Sequence, residues 1–557
     1  MKSKNSPYVK IIPIGGLGEV GKNMAIIESD KDIVIIDAGI GFIKKNEIPG
    51  IEIIIPDITY LEEKKHKIKG IIVTHGHEDH IGAIPFILDS FDIPIYAPAI
   101  ACELLRKKFY RSRTDISPKI FLTKEDNEYK LGDMSFELFP VSHSIPDSYG
   151  ILINTPSGNI VHSGDFKFDK NPTIGNEYKT NINHLKKILK DEIMVLMSDS
   201  TNAENEGYSI SEQEVKKSIN SIIKSHNNRI IISTFASQIS RNKIISDACI
   251  KYNKKLCIVG KSMIDNTKIA KNLGHIKSYE DLIIRPDQIN NINQNNLVIL
   301  TTGSQGEKQS GLVRIANNNH KNIQIKDGDT VVISASTIPG NEVQVNDAIN
   351  KLLKLGAKVI TDKNHTIHAS GHAYKNELKE LINIVKPKFF VPVHGELKMQ
   401  IAHGKIAESE NINKENIFIL ENGEVLLLKD KKLDKNGKVP AENILIDGKN
   451  LIYEDDEIIK ERNQIYKNGL ILVTILFDSK YKLSKIVDLL SYGVIIDDSY
   501  ENIQSIKDSL EKNINNSIKK QPKNKKNENF IKEYSANFLK QKLDIKSKII
   551  VSLMKND

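Results

Sequence analysis

Residues 75–80 read His-Gly-His-Glu-Asp-His, which places three of the chain's 15 histidines and a carboxylate pair in one short stretch. Such a set is a metal-ligand cluster. It follows Ile71, Ile72 and Val73, a short β-branched run that reads as a buried strand ending at Thr74. Strand spacing puts residues two apart on one face, so His75 and His77 can grip one ion. Asp79 and His80 come after the turn and can reach a second. Imidazole with carboxylate suits zinc best, with manganese or magnesium as alternatives. The spacing differs from the helical His-Glu-x-x-His of zinc proteases.

Two ions need more donors than this cluster supplies. His143 follows the apolar stretch 136–141, Asp165 ends His-Ser-Gly-Asp after Ile160 and Val161, and His394 stands in Val-His-Gly-Glu after the run beginning at Phe389. Each is a ligand type at the end of an apolar run, where donors from separate strands can converge on one rim.

Gly16, Gly18 and Gly21 match the glycine pattern of dinucleotide-binding folds, and Asp37 stands about twenty residues further on. A dinucleotide unit needs a crossover helix of about ten residues between its strands. Here 24–28 reads as a strand and 29–32 as a turn, which leaves no room for it. A tight glycine loop near the metal site is the better reading.

The elements that position these residues change character along the chain. The first two hundred residues read as short strands (9–14, 24–27, 33–36, 151–153) with one clear helix at 99–110, which suggests sheets with helices packed outside. Strand-helix alternation follows, with strands at 229–233, 256–259, 297–301, 330–334 and 358–361, as in a parallel α/β sheet. Strand-rich, histidine-rich sequence then returns, with strands expected at 389–393 and 417–420. One domain is therefore read as inserted into another: 1–204 and 364–449 form the host, 205–363 the insertion, and 450–557 a linker and C-terminal domain. The clearest strand of that last part is 469–476, and 513–529, rich in Lys and Asn, reads as a solvated linker.

A chain of 557 residues implies roughly three or four domains. The net charge of +8 is modest and suits a polyanionic partner. Residues 501–557 hold 13 Lys, no Arg and 7 acidic residues, so six of the eight net charges lie there. Cys102, Cys249 and Cys257 are odd in number and widely spaced, which speaks against a disulfide framework and fits a reducing cytoplasm. Residues 1–10 lack a signal-peptide core, and no apolar run is long enough for a membrane helix.

Asp37, the cluster 75–80, His143 and Asp165 occur in the order of the motifs of the metallo-β-lactamase superfamily, which the chain resembles. Within it, Asp199 in Met-Ser-Asp-Ser-Thr, His372 in His-Ala-Ser-Gly-His and His394 resemble the further motifs of the β-CASP nucleases. Gly-Gly-Leu-Gly-Glu-Val-Gly-Lys-Asn at 15–23, Thr-His-Gly-His-Glu-Asp-His-Ile-Gly at 74–82, Phe-Ala-Ser at 235–237 and Pro-Gly-Asn-Glu at 339–342 resemble the bacterial ribonuclease J enzymes in particular. The resemblance is strong over residues 10–447.

It implies a metallo-β-lactamase αββα sandwich with an inserted parallel α/β β-CASP domain and a small α+β C-terminal domain. It implies that His75, His77 and His143 hold one ion, that Asp79, His80 and His394 hold the other, that Asp165 bridges them, and that Asp37 orients ligands. His372 is then the proton donor and Asp199 its partner. Phe235, Ala236, Ser237, His368, Ala369, Ser370 and Gly371, with His372, would form a pocket for an RNA 5′-monophosphate, with 235–237 opening a helix whose N–H groups suit an anion. The implied enzyme is a cytoplasmic 5′-to-3′ exonuclease with endonuclease activity, acting on single-stranded RNA in RNA maturation and mRNA decay. It would be a homodimer or homotetramer, with an RNA-decay complex as partner. Alternatives are another β-CASP nuclease acting on DNA or RNA 3′ ends, or a small-molecule metallo-hydrolase, although the latter needs neither the insertion nor His372. Asp447 in Ile-Asp-Gly matches the turn of a calcium site, but the glycines that should follow are missing, which argues against calcium.

Overall fold

The computed structural model describes residues 6–42, 48–51, 53–112, 116–173, 179–277, 282–338, 340–363, 365–477, 483–496, 500–520 and 528–555. Residues 1–5, Pro339 of the 339–342 motif and residues 521–527 of the expected linker lie outside them. The chain forms two compact units, 1–42 with 53–443, and 43–52 with 444–557.

The first unit contains two stacked sheets. Alternating side chains of one sheet (Ile11, Ile27, Val34) meet Phe136, Leu138, Ile151 and Met197 of the other in a single buried core. The first sheet has eight strands, in the order Lys432–Lys438, Glu424–Lys429, Tyr8–Gly15, Met24–Ser29, Ile33–Ile36, Ile68–Ile72, Ile95–Ala97 and Ile120–Leu122. The second has six, in the order Phe389–Val393, Ile193–Asp199, Gly158–His162, Tyr149–Thr155, Met134–Pro140 and Tyr129–Leu131. Its outer face, with Phe139, Leu152, Val161, Leu196 and Phe390, is covered by Leu185, Leu381 and Ile406 from helices Ile182–Ile188, Lys375–Val385 and Leu397–Ser409. Ile12, Ile26 and Ile35, on the opposite parity of the first sheet, are also buried. A strand buried on both faces can be apolar at every position, which explains the long isoleucine runs. Each such side chain contributes about 1.5–3 kcal/mol of burial. The result is a sandwich of two sheets with helices outside.

A third sheet of six strands is parallel throughout: Ile283–Ile284, Lys255–Ile258, Leu297–Thr301, Ile230–Ser233, Thr330–Ile333 and Lys358–Ile360. Both its faces are buried in apolar clusters. The sequence before and after it rejoins in the sandwich. Ile193–Asp199 pairs in parallel with Phe389–Val393, with Asp199 opposite Val393, and Tyr8–Gly15 pairs with Glu424–Lys429. Arg241, fully buried on helix Ile239–Lys251, pairs with Glu212, and donates to Ser334 and to the Ile367 carbonyl. It thereby ties the parallel sheet to the segment leading into His368.

In the second unit, strand Leu470–Phe477 pairs antiparallel with Leu483–Tyr492 and parallel with Lys548–Lys555. Ile471, Val473, Ile475 and Phe477 pack against helices Tyr500–Lys520 and Glu528–Leu543. The carboxylate of Asp447 is paired with Arg462.

Two expectations need correction. Residues 513–520 and 528–529 are helical, because Ile506, Leu510, Ile514 and Ile518 recur every four residues and form an apolar stripe that composition alone conceals. Residues 417–420 form no strand. Ile417 makes one isolated bridge to Phe390, and Phe418 turns into the sandwich core instead. No helix among the described residues is long and apolar enough to cross a membrane.

Candidate metal centre

All the predicted donors stand just beyond strand ends on one rim of the sandwich. Asp37 follows Ile33–Ile36, His75 and His77 follow Ile68–Ile72, His143 follows Met134–Pro140, Asp165 follows Gly158–His162, and His394 follows Phe389–Val393. The first cluster is not carried on a strand, as its spacing predicted. The strand stops at Ile72, His77 is the N-cap of the short helix Glu78–Ile81, and Asp79 and His80 lie on that helix. The two nitrogens that meet are therefore unlike, His75 Nε2 and His77 Nδ1, 3.1 Å apart.

His77 Nδ1 is also 3.1 Å from His143 Nε2, and Asp165 Oδ2 is 3.6 Å from His75 Nε2 and 3.8 Å from His143 Nε2. The same Asp165 oxygen lies 3.2 Å from His80 Nε2 and 3.6 Å from His394 Nε2. Asp79 Oδ2 is 3.6 Å from His80 Nε2 and 3.4 Å from His394 Nε2. Ligand atoms about 2.0–2.1 Å from a tetrahedral ion lie roughly 3.3–3.4 Å apart, so these are coordination-shell distances. Two four-donor groups result, sharing Asp165, and together they are a His/Asp cluster capable of binding metal ions.

The second nitrogen of each ring is engaged, which sets the tautomer. His80 Nδ1 is 2.8 Å from Asp37 Oδ2, and Asp37 also accepts from the Thr74 hydroxyl at 2.7 Å. His143 Nδ1 donates to the Gly371 carbonyl at 2.7 Å. His75 Nδ1 is 3.0 Å from Thr74 Oγ1, and His77 Nε2 is 3.3 Å from Ser144 Oγ. His394 Nδ1 meets Thr201 Oγ1, which donates to Asp199 Oδ1 at 2.7 Å. Beside this centre, His372 Nδ1 is 2.7 Å from Asp199 Oδ2.

Sequence comparison agrees with this geometry. Residues 17–197 match the metallo-beta-lactamase superfamily, 227–352 match the ribonuclease J beta-CASP domain, and 356–420 match the Zn-dependent metallo-hydrolase RNA specificity domain. The chain is 39% identical over 493 residues to ribonuclease J of Synechocystis, which covers 88% of this chain and 75% of that one. It is 37% identical to ribonuclease J2 of Bacillus subtilis, over 86% of each chain, and 37% identical to ribonuclease J of Thermus thermophilus, over 88% of this chain and 85% of that one. The chain belongs to the ribonuclease J family. A crystal structure of a protein of unknown function from Enterococcus faecalis shares the fold, with a TM-score of 0.54 and 14% identity over 76% of this chain and 100% of that one.

In this ribonuclease J family member the electrostatics divide the histidines. Burial pushes His75 and His143 well below the ordinary imidazole value and His77 down to about 4, which leaves neutral lone pairs for an ion. Burial acts the same way on His80 and His394, but the carboxylates outweigh it. Asp165 leads in both cases, and both rings sit well above the ordinary value. His372 is raised too, since Asp199 and Asp165 together overcome its burial. Asp79, Asp165 and Asp199 are held below the usual carboxylate range by the imidazoles around them, against the pull of burial.

Residues 235–237 do not open a helix. The helix begins at Ile239 after an N-cap at Gln238, so Phe235, Ala236 and Ser237 form the turn before it. His368, Ala369, Ser370 and Gly371 lead directly into His372. Ser370 Oγ accepts from the His372 N–H at 3.1 Å and from Asn202 Nδ2 at 2.7 Å. Asn23, Thr74, Ser144 and Thr201 are site residues that the sequence did not single out. Asn23 comes from the glycine loop, where its amide reaches the Asp79 carbonyl at 3.1 Å. Its place beside Gly21 was the available signal.

Proposed function

We propose that this chain is a metal-dependent ribonuclease that degrades RNA stepwise from 5′-monophosphate ends, 5′ to 3′, and also cuts internally. The observation that carries the reading is the shared oxygen, Asp165 Oδ2, placed between two donor groups within 4.0 Å of His372 Nδ1. His75, His77 and His143 would hold one ion, and Asp79, His80 and His394 the other, with Asp165 common to both. The nitrogen-rich donor sets fit zinc. Divalent ions in these sites would supply a water acidified from 15.7 to about 7 and would neutralise phosphoryl charge.

The chain's own groups do the rest. Asp37 and Thr74 fix the rings of His80 and His75, and Thr201 fixes His394. Asp199 holds His372 through Nδ1, so the Nε2 proton can pass to the 3′ oxygen that leaves phosphorus, and the other product keeps a 5′-phosphate. The raised value of His372 keeps that proton available near neutrality. Phe235, Ala236, Ser237 and His368, Ala369, Ser370, Gly371 would receive the terminal phosphate. Ser370 already accepts two hydrogen bonds, which leaves its own proton for a phosphate oxygen. A phosphate pocket beside the ions favours removal of one nucleotide at a time. The cellular setting would be cytoplasmic RNA maturation and mRNA decay, with the chain as a dimer or tetramer.

The test is digestion of one RNA bearing a 5′-monophosphate and its 5′-triphosphate twin, by the wild type and by His77→Ala. The expected result is mononucleotides from the monophosphate substrate and none from the variant. Full activity of the variant would overturn the metal assignment. Equal exonuclease rates on the two RNAs would overturn the phosphate pocket.

A further inference from the structure

Behind the strand ends that carry Asp199 and His394 lies a polar pair that the chemistry above does not use. His403 and Gln400 sit one turn apart on helix Leu397–Ser409, and both are fully buried. Residues three apart on a helix share a face. His403 Nδ1 lies 3.1 Å from Ser200 Oγ, and Phe390 packs edge-on against the ring, with centroids 4.8 Å apart. His403 Nε2 and both amide atoms of Gln400 find no hydrogen-bond partner. Buried polar atoms without partners are costly, and an apolar side chain of similar size would avoid that cost. The one hydrogen bond that this helix face does make is to Ser200.

Ser200 is the pivot of the site's second half. Its N–H donates to the Val393 carbonyl at 2.9 Å and approaches the His394 carbonyl at 3.2 Å. On one side of it Asp199 holds His372, and on the other Thr201 touches both His394 Nδ1 and Asp199 Oδ1. The start of the same helix closes over this turn. A Cβ at Gly395 would lie 3.6 Å from the Ser200 carbonyl carbon. Ser200 is therefore fixed from below by the strand and from behind by His403.

We propose that His403 is a positioning residue, which, through Ser200, sets the turn that orients both His394 and Asp199. This rests on the roles assigned above to His394 and Asp199. Neutral imidazole is suited to the task, since it keeps one N–H and one lone pair for the serine hydroxyl. Burial holds His403 down to about 3, so it stays neutral through the working range and acts as a fixed post. A leucine would fill the space but leave the hydroxyl of Ser200 free to rotate.

The test compares His403→Leu, His403→Asn and Ser200→Ala in the full chain. The readouts are kcat and KM on 5′-monophosphate RNA and the visible spectrum of the cobalt(II)-substituted protein. Outer partners of metal ligands typically change activity roughly 10–100-fold. We expect His403→Leu to lower kcat within that range with little change in KM, and to shift the cobalt bands. His403→Asn, which keeps a hydrogen-bonding group near Nδ1, should recover most of the rate. Ser200→Ala, a small change that folds even if His403→Leu does not, should match the leucine variant, and the double variant should lose no more than either single one. Wild-type kcat and spectrum in both single variants, or additive losses in the double, would overturn the proposal. If the wild type failed to cleave RNA, the functional reading would fall, and the cobalt spectra would still decide the role of His403.

Discussion

His372 Nδ1 lies 2.7 Å from Asp199 Oδ2 and 4.0 Å from Asp165 Oδ2, so one imidazole is held between the carboxylate of its own pair and the carboxylate common to both donor groups. Burial alone would lower the ring below 6.5, but Asp199 and then Asp165 raise it above. As a proton donor it works while protonated, so activity should fall as pH rises through the raised value. Asp199→Asn removes the larger of the two raising charges. The alkaline limb of the kcat profile should move to lower pH in that variant. A limb that stays in place while only the rate drops would show that His372 is not the titrating acid.

Asp165 and His77 should separate in metal content. Asp165 Oδ2 belongs to both donor groups, whereas His77 belongs to one. Asp165→Asn is expected to weaken both sites and His77→Ala chiefly the site with His75 and His143. Both should lose at least the roughly 10–100-fold in activity seen when outer partners are removed. Metal analysis after dialysis would decide it, and equal losses at both sites in His77→Ala would argue against two separable sites.

The donors themselves were legible because each is a chemically distinctive residue at the end of an apolar run, a local signal. What orients them was not. Asn23 reaches the helix bearing Asp79 from 56 positions earlier, and Thr201 reaches His394 across 193. Asn and Thr are common residues, and only the sheet pairing of Asp199 with Val393 brings Thr201 to the site. The errors have the same origin. Residues 513–520 looked solvated because Lys and Asn fill the outer helix face, while the stripe from Ile506 to Ile518 acquires meaning only against strand Leu470–Phe477. The turn at 235–237 looked like a helix start, but the chain needs it to leave the parallel sheet before Gln238 can cap the helix.

The phosphate preference should depend on Ser370. Its hydroxyl accepts from the His372 N–H and from Asn202, so its proton is the free donor. A hydrogen bond to a charged group is worth about 1.5–3 kcal/mol. Ser370→Ala should therefore raise KM for 5′-monophosphate RNA by roughly 10–100-fold, at about 1.4 kcal/mol per tenfold. Endonuclease cleavage of a circular RNA, which has no 5′ end, should change far less. Equal losses on the two substrates would place the effect in the catalytic turn instead of the pocket.

Arg241 should matter more for stability than for chemistry. Its guanidinium is fully buried, paired with Glu212 at 3.1 Å and donating to the Ile367 carbonyl at 2.6 Å. Arg241→Met would leave the Glu212 carboxylate buried without its partner, and breaking one side of a buried pair costs about 3–5 kcal/mol. Adding Glu212→Gln removes the stranded charge, so the double variant should regain part of that loss. The Ile367 carbonyl stays unpaired in both, and with it the segment that carries His368 to His372. Urea unfolding of the two variants should show the double variant as the more stable, with His372-dependent cleavage impaired in both. A loss below about 1 kcal/mol in Arg241→Met would mean that the pair only breaks even against its own desolvation.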